Sequence, residues 1–299
     1  MLIVLVPQVV TAGISIVEEN DAFAASKSDR RYTQGLDIFY TGTPEVTSNR
    51  AVRVDWGFRN LMYTPENIKD PDPQPWDRPW AGMSAIVYSR WIEQKDSCSR
   101  IDLMIGVTGP KSQSEFFQTF VHELIGSPKP MGWDNQIPGE LVLNAAWQTW
   151  EPLRQWGEKP GLGADLSANY GTSLGTAFCN VFGGLESRAG WNVPASRVGV
   201  IRPTAVQDNF YAYVFASGSL KAVMHNVTLG GSFFHTGPSQ DLEMFVTEAR
   251  VGWTVGWKNL FWGNGVEFSY SLNRRSEEFT IQDGPSDWGS ISLGIGRFL

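Results

Sequence analysis

From Ile14 onward, apolar and polar residues alternate in run after run along the chain. Val52, Val54, Trp56 and Phe58 are interleaved with Arg53, Asp55, Gly57 and Arg59, and Ile101, Leu103, Ile105 and Val107 with Arg100, Asp102, Met104 and Gly106. A period of two is the mark of a strand with one apolar face. The pattern returns around Leu141, Val251, Phe268 and Leu293, which predicts twelve strands near 14–21, 32–42, 50–60, 80–92, 98–108, 139–150, 162–172, 174–187, 209–221, 246–258, 262–274 and 286–299. One stretch departs from it. Between Gly109 and Gly126 the period is helical, which predicts a helix near 112–125. Ser112 and Glu115 have the spacing of a capping box, Phe116, Phe117, Phe120, Val121, Leu124 and Ile125 form one wide apolar face, and Gly126 supplies the stop. Gln118 and His122 are four residues apart and stack in one column at the edge of the polar face.

Alternation fits a soluble sandwich as well as a membrane barrel, so the contents of the two faces decide. Opposite the apolar face lie charges, Gly, Ser and Thr, as in a hydrated lumen, and Trp and Tyr gather near strand ends as interfacial girdles do. Strands of about ten residues are long enough, when tilted, to cross a bilayer's hydrocarbon core. The predicted fold is therefore all-β, a transmembrane antiparallel β-barrel of about 12 strands with a short α-helix in an extracellular loop. No run approaches the roughly 18 consecutive apolar residues of a membrane-spanning helix. A net charge of −7 without a Lys/Arg stripe argues against nucleic acid as a partner. Residues 1–12 read as the remnant of a secretory signal peptide cleaved after Ala12, or alternatively as a buried first strand, and 13–299 as one barrel domain. With an even strand count both termini lie on the periplasmic side, and the connection from Arg188 to Asp208 on that side is longer than barrels usually allow. It either packs into the lumen or marks an error in the strand count. Cys98 and Cys179 sit in separate strand patterns and are expected to be thiols.

Four polar clusters map to one end of this barrel: Glu19-Asn20-Asp21, Tyr32-Thr33-Gln34-Gly35, Asp77-Arg78-Pro79 and the Gln118/His122 column. Asn20 and Asp21 offer the hard oxygen donors that calcium takes, provided that the strand ends or bulges there, since strand neighbours point to opposite faces. Each cluster also has a plain structural reading. Asn20-Asp21 suits a turn, His122 a solvated helix face, Thr33 a lumen position beside Gly35 and Asp37, and Asp77-Arg78-Pro79 a corner with a local ion pair. Trp133, in Gly132-Trp133-Asp134-Asn135-Gln136, is either a lipid-facing anchor or support for the helix. His225 and His235 have no partner motif and are given no role.

These residues, Ile14-Ser15-Ile16 leading to Asn20-Asp21, Tyr32-Thr33 followed by Gly35, Asp77-Arg78, and above all Gly109-Pro110, Gln118, His122, Ile125-Gly126, Trp133 and Gln136, occur in an order that resembles the outer-membrane lipid A 3'-O-deacylases. The resemblance spans most of the chain. It implies a twelve-stranded barrel whose active site lies between the outer wall and a helix from an extracellular loop. It further implies calcium dependence, His122 as the base with Gln118 beside it, and Asn20, Asp21 and Thr33 in the calcium or substrate-carbonyl shell. Pro128 stands where some members carry an acidic residue, and only Lys69 represents the basic residues of one of their loops. Ester hydrolysis needs an activated water and a stabilised oxyanion, tasks suited to a neutral imidazole and a divalent cation. None of the three histidines is followed by the x-Ser that would put a nucleophile on its strand face, so water is preferred to serine. The expectation is a monomeric, calcium-dependent outer-membrane esterase that removes the 3'-O-linked acyl chains of lipid A, with lipopolysaccharide and outer-membrane lipids as its partners. The alternatives are a non-catalytic pore or surface protein and a phospholipase acting on glycerophospholipids.

Overall fold

The alternating runs become twelve long antiparallel strands: β1 (Gly13–Asn20), β2 (Gln34–Thr41), β3 (Arg50–Tyr63), β4 (Ala81–Gln94), β5 (Ser97–Thr108), β6 (Leu141–Gly157), β7 (Leu162–Gly175), β8 (Phe178–Trp191), β9 (Phe210–Asn226), β10 (Phe245–Phe261), β11 (Asn264–Arg275) and β12 (Ser286–Arg297). The computed structural model describes residues 13–24, 32–42, 44–94, 97–158, 160–194, 210–261 and 264–297. The signal-peptide reading of 1–12 and the chain end at Phe298-Leu299 lie outside them. Each strand pairs with its sequence neighbours, and β1 pairs with both β2 and β12, so the sheet closes on itself without a free edge. Closure satisfies every ladder within the wall, the condition a sheet must meet to span lipid. Glu45–Val46 adds a two-residue ladder to the start of β3.

The twelve expected strands are all present, but β6 and β9 run several residues past their predicted ends. Both contain a register shift, at Pro152/Arg154 and at Val223/His225, and a bulge breaks the period of two from which the ends were read. The long connection after β8 is also corrected. Arg188 lies within β8, where its guanidinium meets Asp165 at 2.7 Å, and the described start of the connection turns into the lumen. There Val193 packs with Tyr211, Tyr213 and Phe215, while Arg188 donates to the carbonyl of Pro194.

Outward positions such as Ile14, Ile16, Ile38, Tyr40, Trp56, Ile86, Leu103 and Ile105 are exposed, and the inward face carries the buried polar residues. The lumen is layered. At the end where β1 begins, Trp91, Cys98 and Trp150 form one buried cluster and Tyr211, Tyr213 and Phe215 another. In the middle, a cavity of about 450 Å³ is lined by charged side chains, among them Glu19, Arg59, Arg100, Lys221, Glu248 and Arg275. They are paired, Arg59 with Asp37 at 2.6 Å, Arg100 with Asp102 at 3.0 Å and Arg275 with Glu248 at 3.1 Å. At the far end, Tyr32, Tyr63, Ile137 and Trp288 close the lumen. Loops seal this rim, where the Gln240 amide donates to the carbonyls of Pro75 and Asp77 and Leu242 bridges Phe279. Cys98 and Cys179 form no disulfide.

The Asp77-Arg78 corner differs from its expected form. The Asp77 carboxylate accepts the backbone amides of Glu66 and Arg78, while the Arg78 side chain turns into the barrel. Its guanidinium lies 4.1 Å from the ring centre of Tyr63 and 3.6 Å from Glu278. Burial pushes this guanidinium down from its ordinary pKa, against the pull of Glu278.

Arg188 and Asp165 are both almost wholly buried, so Arg188→Ala removes the closest countercharge from a carboxylate held away from water. The expected loss is about 3–5 kcal/mol of barrel stability, read from urea unfolding of the detergent-folded protein.

Candidate functional site on the outer barrel wall

One row of paired residues crosses five strands near the sealed rim. Gly289 of β12 stands opposite Asn20 of β1, Asn20 opposite Gln34 of β2, Gln34 opposite Met62 of β3, and Met62 opposite Gly82 of β4. All five positions share the register of the exposed apolar residues and therefore face outward, away from the lumen. Two pieces of chain lie on this row. At one end the 3-10 turn Asp21–Phe23 folds back over Gly289, where a Cβ would come within 2.5 Å of Phe23, and Tyr270 donates to the Phe23 carbonyl at 2.7 Å. At the other end lies helix α1 (Ser114–Ile125).

The helix is fastened to the wall by small residues and by an apolar cluster. Gly82 lets it approach, since a Cβ there would meet the hydroxyls of Ser112 and Ser114 at 2.4 and 2.5 Å. Asn60 donates to Ser114 Oγ at 3.1 Å, and Ser84 donates to the carbonyl of Ser112 at 2.7 Å. Beyond them Met62, Ile68, Trp80 and Trp133 form a buried cluster outside the barrel, against which Phe117 packs. Trp133 is thus support for the helix, and its indole N–H donates to Gln118 Oε1 at 2.7 Å.

Two expectations for the helix are corrected. Ser112 is not its N-cap. Its hydroxyl donates to Gly109 within a 3-10 turn, and Gln113, at φ 59°, turns the chain so that the helix starts at Ser114. The apolar face also divides. Phe117 turns to the wall, while Phe116, Phe120 and Leu124 stay exposed on the other side, with Phe116 stacked on Phe120. Gly126, at φ 70°, ends the helix as expected.

His122 lies one turn beyond Gln118, half-buried, with Nδ1 2.6 Å from the carbonyl oxygen of Pro128. That acceptor requires a proton on Nδ1, which leaves the lone pair of the neutral ring on Nε2. β1 ends at Asn20 and Asp21 begins the turn, so the strict alternation that would have separated their side chains stops between them. Asn20 caps the turn by accepting the Ala22 amide at 2.8 Å, and Asp21 is buried. The strand that carries Gly35 begins at Gln34, one residue after Thr33. Tyr32 reaches over Gly35, its hydroxyl in the space a Gly35 Cβ would need, and donates to Glu19 at 2.5 Å. Burial and the Glu19 carboxylate push this phenol well above its ordinary pKa, so it remains a donor. Thr33 is buried, with Oγ1 2.7 Å from Thr64 Oγ1. Its backbone amide donates to Met62, the residue under Phe117, which ties the Asn20–Thr33 side of the row to the helix side. Among the described residues no three His, Cys, Asp or Glu gather into a metal cluster. The donors at this rim are amide, carboxylate, hydroxyl and carbonyl oxygens, a set that matches a hard cation such as calcium.

The sequence model of the family described as outer membrane protein LpxR matches residues 5–296. The chain belongs to the LpxR outer-membrane protein family. Among solved structures, LpxR from Salmonella typhimurium superposes with a TM-score of 0.79 at 20% identity, over 94% of this chain and 99% of that one. The β domain of the Bordetella autotransporter BrkA gives 0.53 at 12% identity over 96% and 98%, a likeness of barrel fold alone. No curated protein matches the chain in sequence. In this LpxR-family barrel the residue overlooked in the sequence is Glu18, which shares the outward face with Asn20 and is joined at 2.7 Å to Gln34, a member of the second polar cluster that was given no role of its own. Following the even positions from Ile14 and Ile16 would have found Glu18.

Gly82→Val is expected to lift the start of α1 from the wall while the barrel stays folded. Limited proteolysis would then cut within 109–126 more readily than in the native protein, while the heat-dependent shift in gel mobility is retained.

Proposed function

We propose that this protein is a calcium-dependent esterase of the outer membrane that hydrolyses the 3'-O-linked acyl chains of lipid A at the extracellular end of the barrel. The observation that carries the reading is the position of His122, on a helix fixed to the outer wall at one end of the row that also carries Asn20 and Gln34 on the lipid side, not the lumen side. A site there is open to a substrate lying in the leaflet. Membership of the LpxR family and the overall match to the Salmonella LpxR structure support the substrate class. The side chains that fill the described lumen at both ends argue against a water-filled pore.

In this reading a water beside His122 attacks the ester carbonyl and gives its proton to Nε2, while Nδ1 keeps its own proton and donates it in a hydrogen bond to the Pro128 carbonyl. As the tetrahedral intermediate collapses, the same proton passes to the sugar oxygen, and fatty acid and alcohol leave. The oxygens of Asn20, Asp21 and Thr33 would hold calcium, which would supply positive charge to offset the developing oxyanion. Gln118, buried and fixed by Trp133, holds the helix face on which His122 is carried.

His122→Ala should leave a folded, heat-modifiable barrel whose release of acyl chains from lipid A falls by roughly 100-fold or more, as measured by mass spectrometry. Activity within a few-fold of the native protein would refute the assignment of the base. Release from glycerophospholipids but not from lipid A would favour the phospholipase reading.

A further inference from the structure

The outward face near Asn20 carries a polar pair to which the proposed hydrolysis gives no task. Along β1 the outward positions are Ile14, Ile16, Glu18 and Asn20, and along β2 they are Gln34, Leu36, Ile38 and Tyr40. Their inward neighbours Val17, Glu19, Gly35 and Asp37 line the lumen cavity, which fixes the direction of both side chains of the pair. Glu18 stands between Leu36 on one side and Ile291 on the other, with exposed Ile14, Ile16 and Ile38 below it. Its Oε1 accepts the Gln34 amide nitrogen at 2.7 Å. No other described residue is hydrogen-bonded to Glu18 Oε2 or to Gln34 Oε1.

A carboxyl group in this position is costly. Ionisable groups on the lipid face of a barrel destabilise it, and one in an apolar setting is retained where it has a task. Leucine at both positions would extend the apolar wall that already surrounds them. Glu18 lies two residues from Asn20, about 6–7 Å along the strand and deeper in the leaflet. What the pair leaves over is acceptor capacity, one carboxyl oxygen and one amide oxygen.

Building on the deacylase reading, we propose that Glu18 and Gln34 form an acceptor site for a hydrogen-bond donor carried by the lipid substrate below its scissile ester. The donor is a hydroxyl on an acyl chain or the N–H of an amide-linked chain. Diacyl glycerophospholipids have only ester and hydrocarbon at that depth and leave the pair unsatisfied. The site therefore selects saccharolipids with hydroxylated or amide-linked chains over bulk phospholipid, because an enzyme group left without its hydrogen bond weakens the complex with the wrong substrate.

The test is kinetic and uses the whole folded protein. Native protein and the E18L/Q34L variant are assayed on lipid A, on an analogue lacking the chain hydroxyls, and on one with its amides replaced by esters. The variant should lose roughly 10- to 100-fold in kcat/KM on lipid A. The native protein should lose a similar factor on one of the two analogues, which names the donor, and the variant should treat that analogue and lipid A alike. Leucine suits a lipid-facing wall, so the variant barrel should be no less stable to urea than the native one, which separates lost recognition from lost fold. If E18L/Q34L does not fold, Q34L and E18Q are measured in the same way. Equal discrimination by native protein and variant would overturn the proposal while leaving the deacylase reading intact. Native protein that releases nothing from lipid A would overturn both.

Discussion

Strand pairing gives every side chain in a barrel wall one of two directions, and closure of the ladder allows no third. In this chain the rule sends Arg59, Arg100 and Arg275 into a lumen where Asp37, Asp102 and Glu248 pair with them, and Ile14, Ile38, Leu103 and Ile105 out to lipid. Where a polar residue or a glycine faces outward, another part of the chain explains it. Asn60, Gly82 and Ser84 face outward because a helix lies on them, and Gly289 because a turn does. Among the described residues, Asn20, Gln34 and Glu18 remain between those two coverings, which is why that stretch of wall reads as a site.

The helix could not hold that position alone. Twelve residues are too few for a stable isolated helix in water, and the apolar surface it buries must compensate. A side chain such as Phe117 is worth about 1.5–3 kcal/mol when fully buried, and its partners Met62, Ile68, Trp80 and Trp133 form a second, smaller core outside the barrel. The hydrogen bonds from Asn60 and Ser84 add direction more than energy. They set which face of the helix meets the wall, and so where the Gln118–His122 column lies.

Much of this was legible in the sequence, for reasons specific to each element. All twelve strands followed from alternation, because a wall with lipid on one side and charge on the other imposes the period along its whole length. Strand ends were less legible, since the bulges at Pro152 and Val223 interrupt the count. The helix was visible from its period, but its first residue was not, because Gln113 adopts a left-handed conformation that residue type alone does not announce. The rim end common to Asn20, Thr33 and His122 followed from topology. Their partners did not. Pro128 enters through a main-chain oxygen, Trp133 through an indole N–H and Thr64 through a hydroxyl, and none of these carries a motif. The pairing of Arg78 with Glu278 spans 200 residues and depends on the closed ring, which a linear reading sees last.

The exposed stripe of Phe116, Phe120 and Leu124 gives the helix an apolar side away from the wall as well as towards it. Water does not solvate such a stripe well, and headgroups are no better host, so the helix must settle where acyl chains begin. It acts as a float pinned to a post. The wall fixes its position around the barrel and the bilayer fixes its height. The imidazole it carries is then held at one depth of the leaflet, and in the proposed deacylation that depth would sort bonds by how far they lie below the surface before any contact with a headgroup is made.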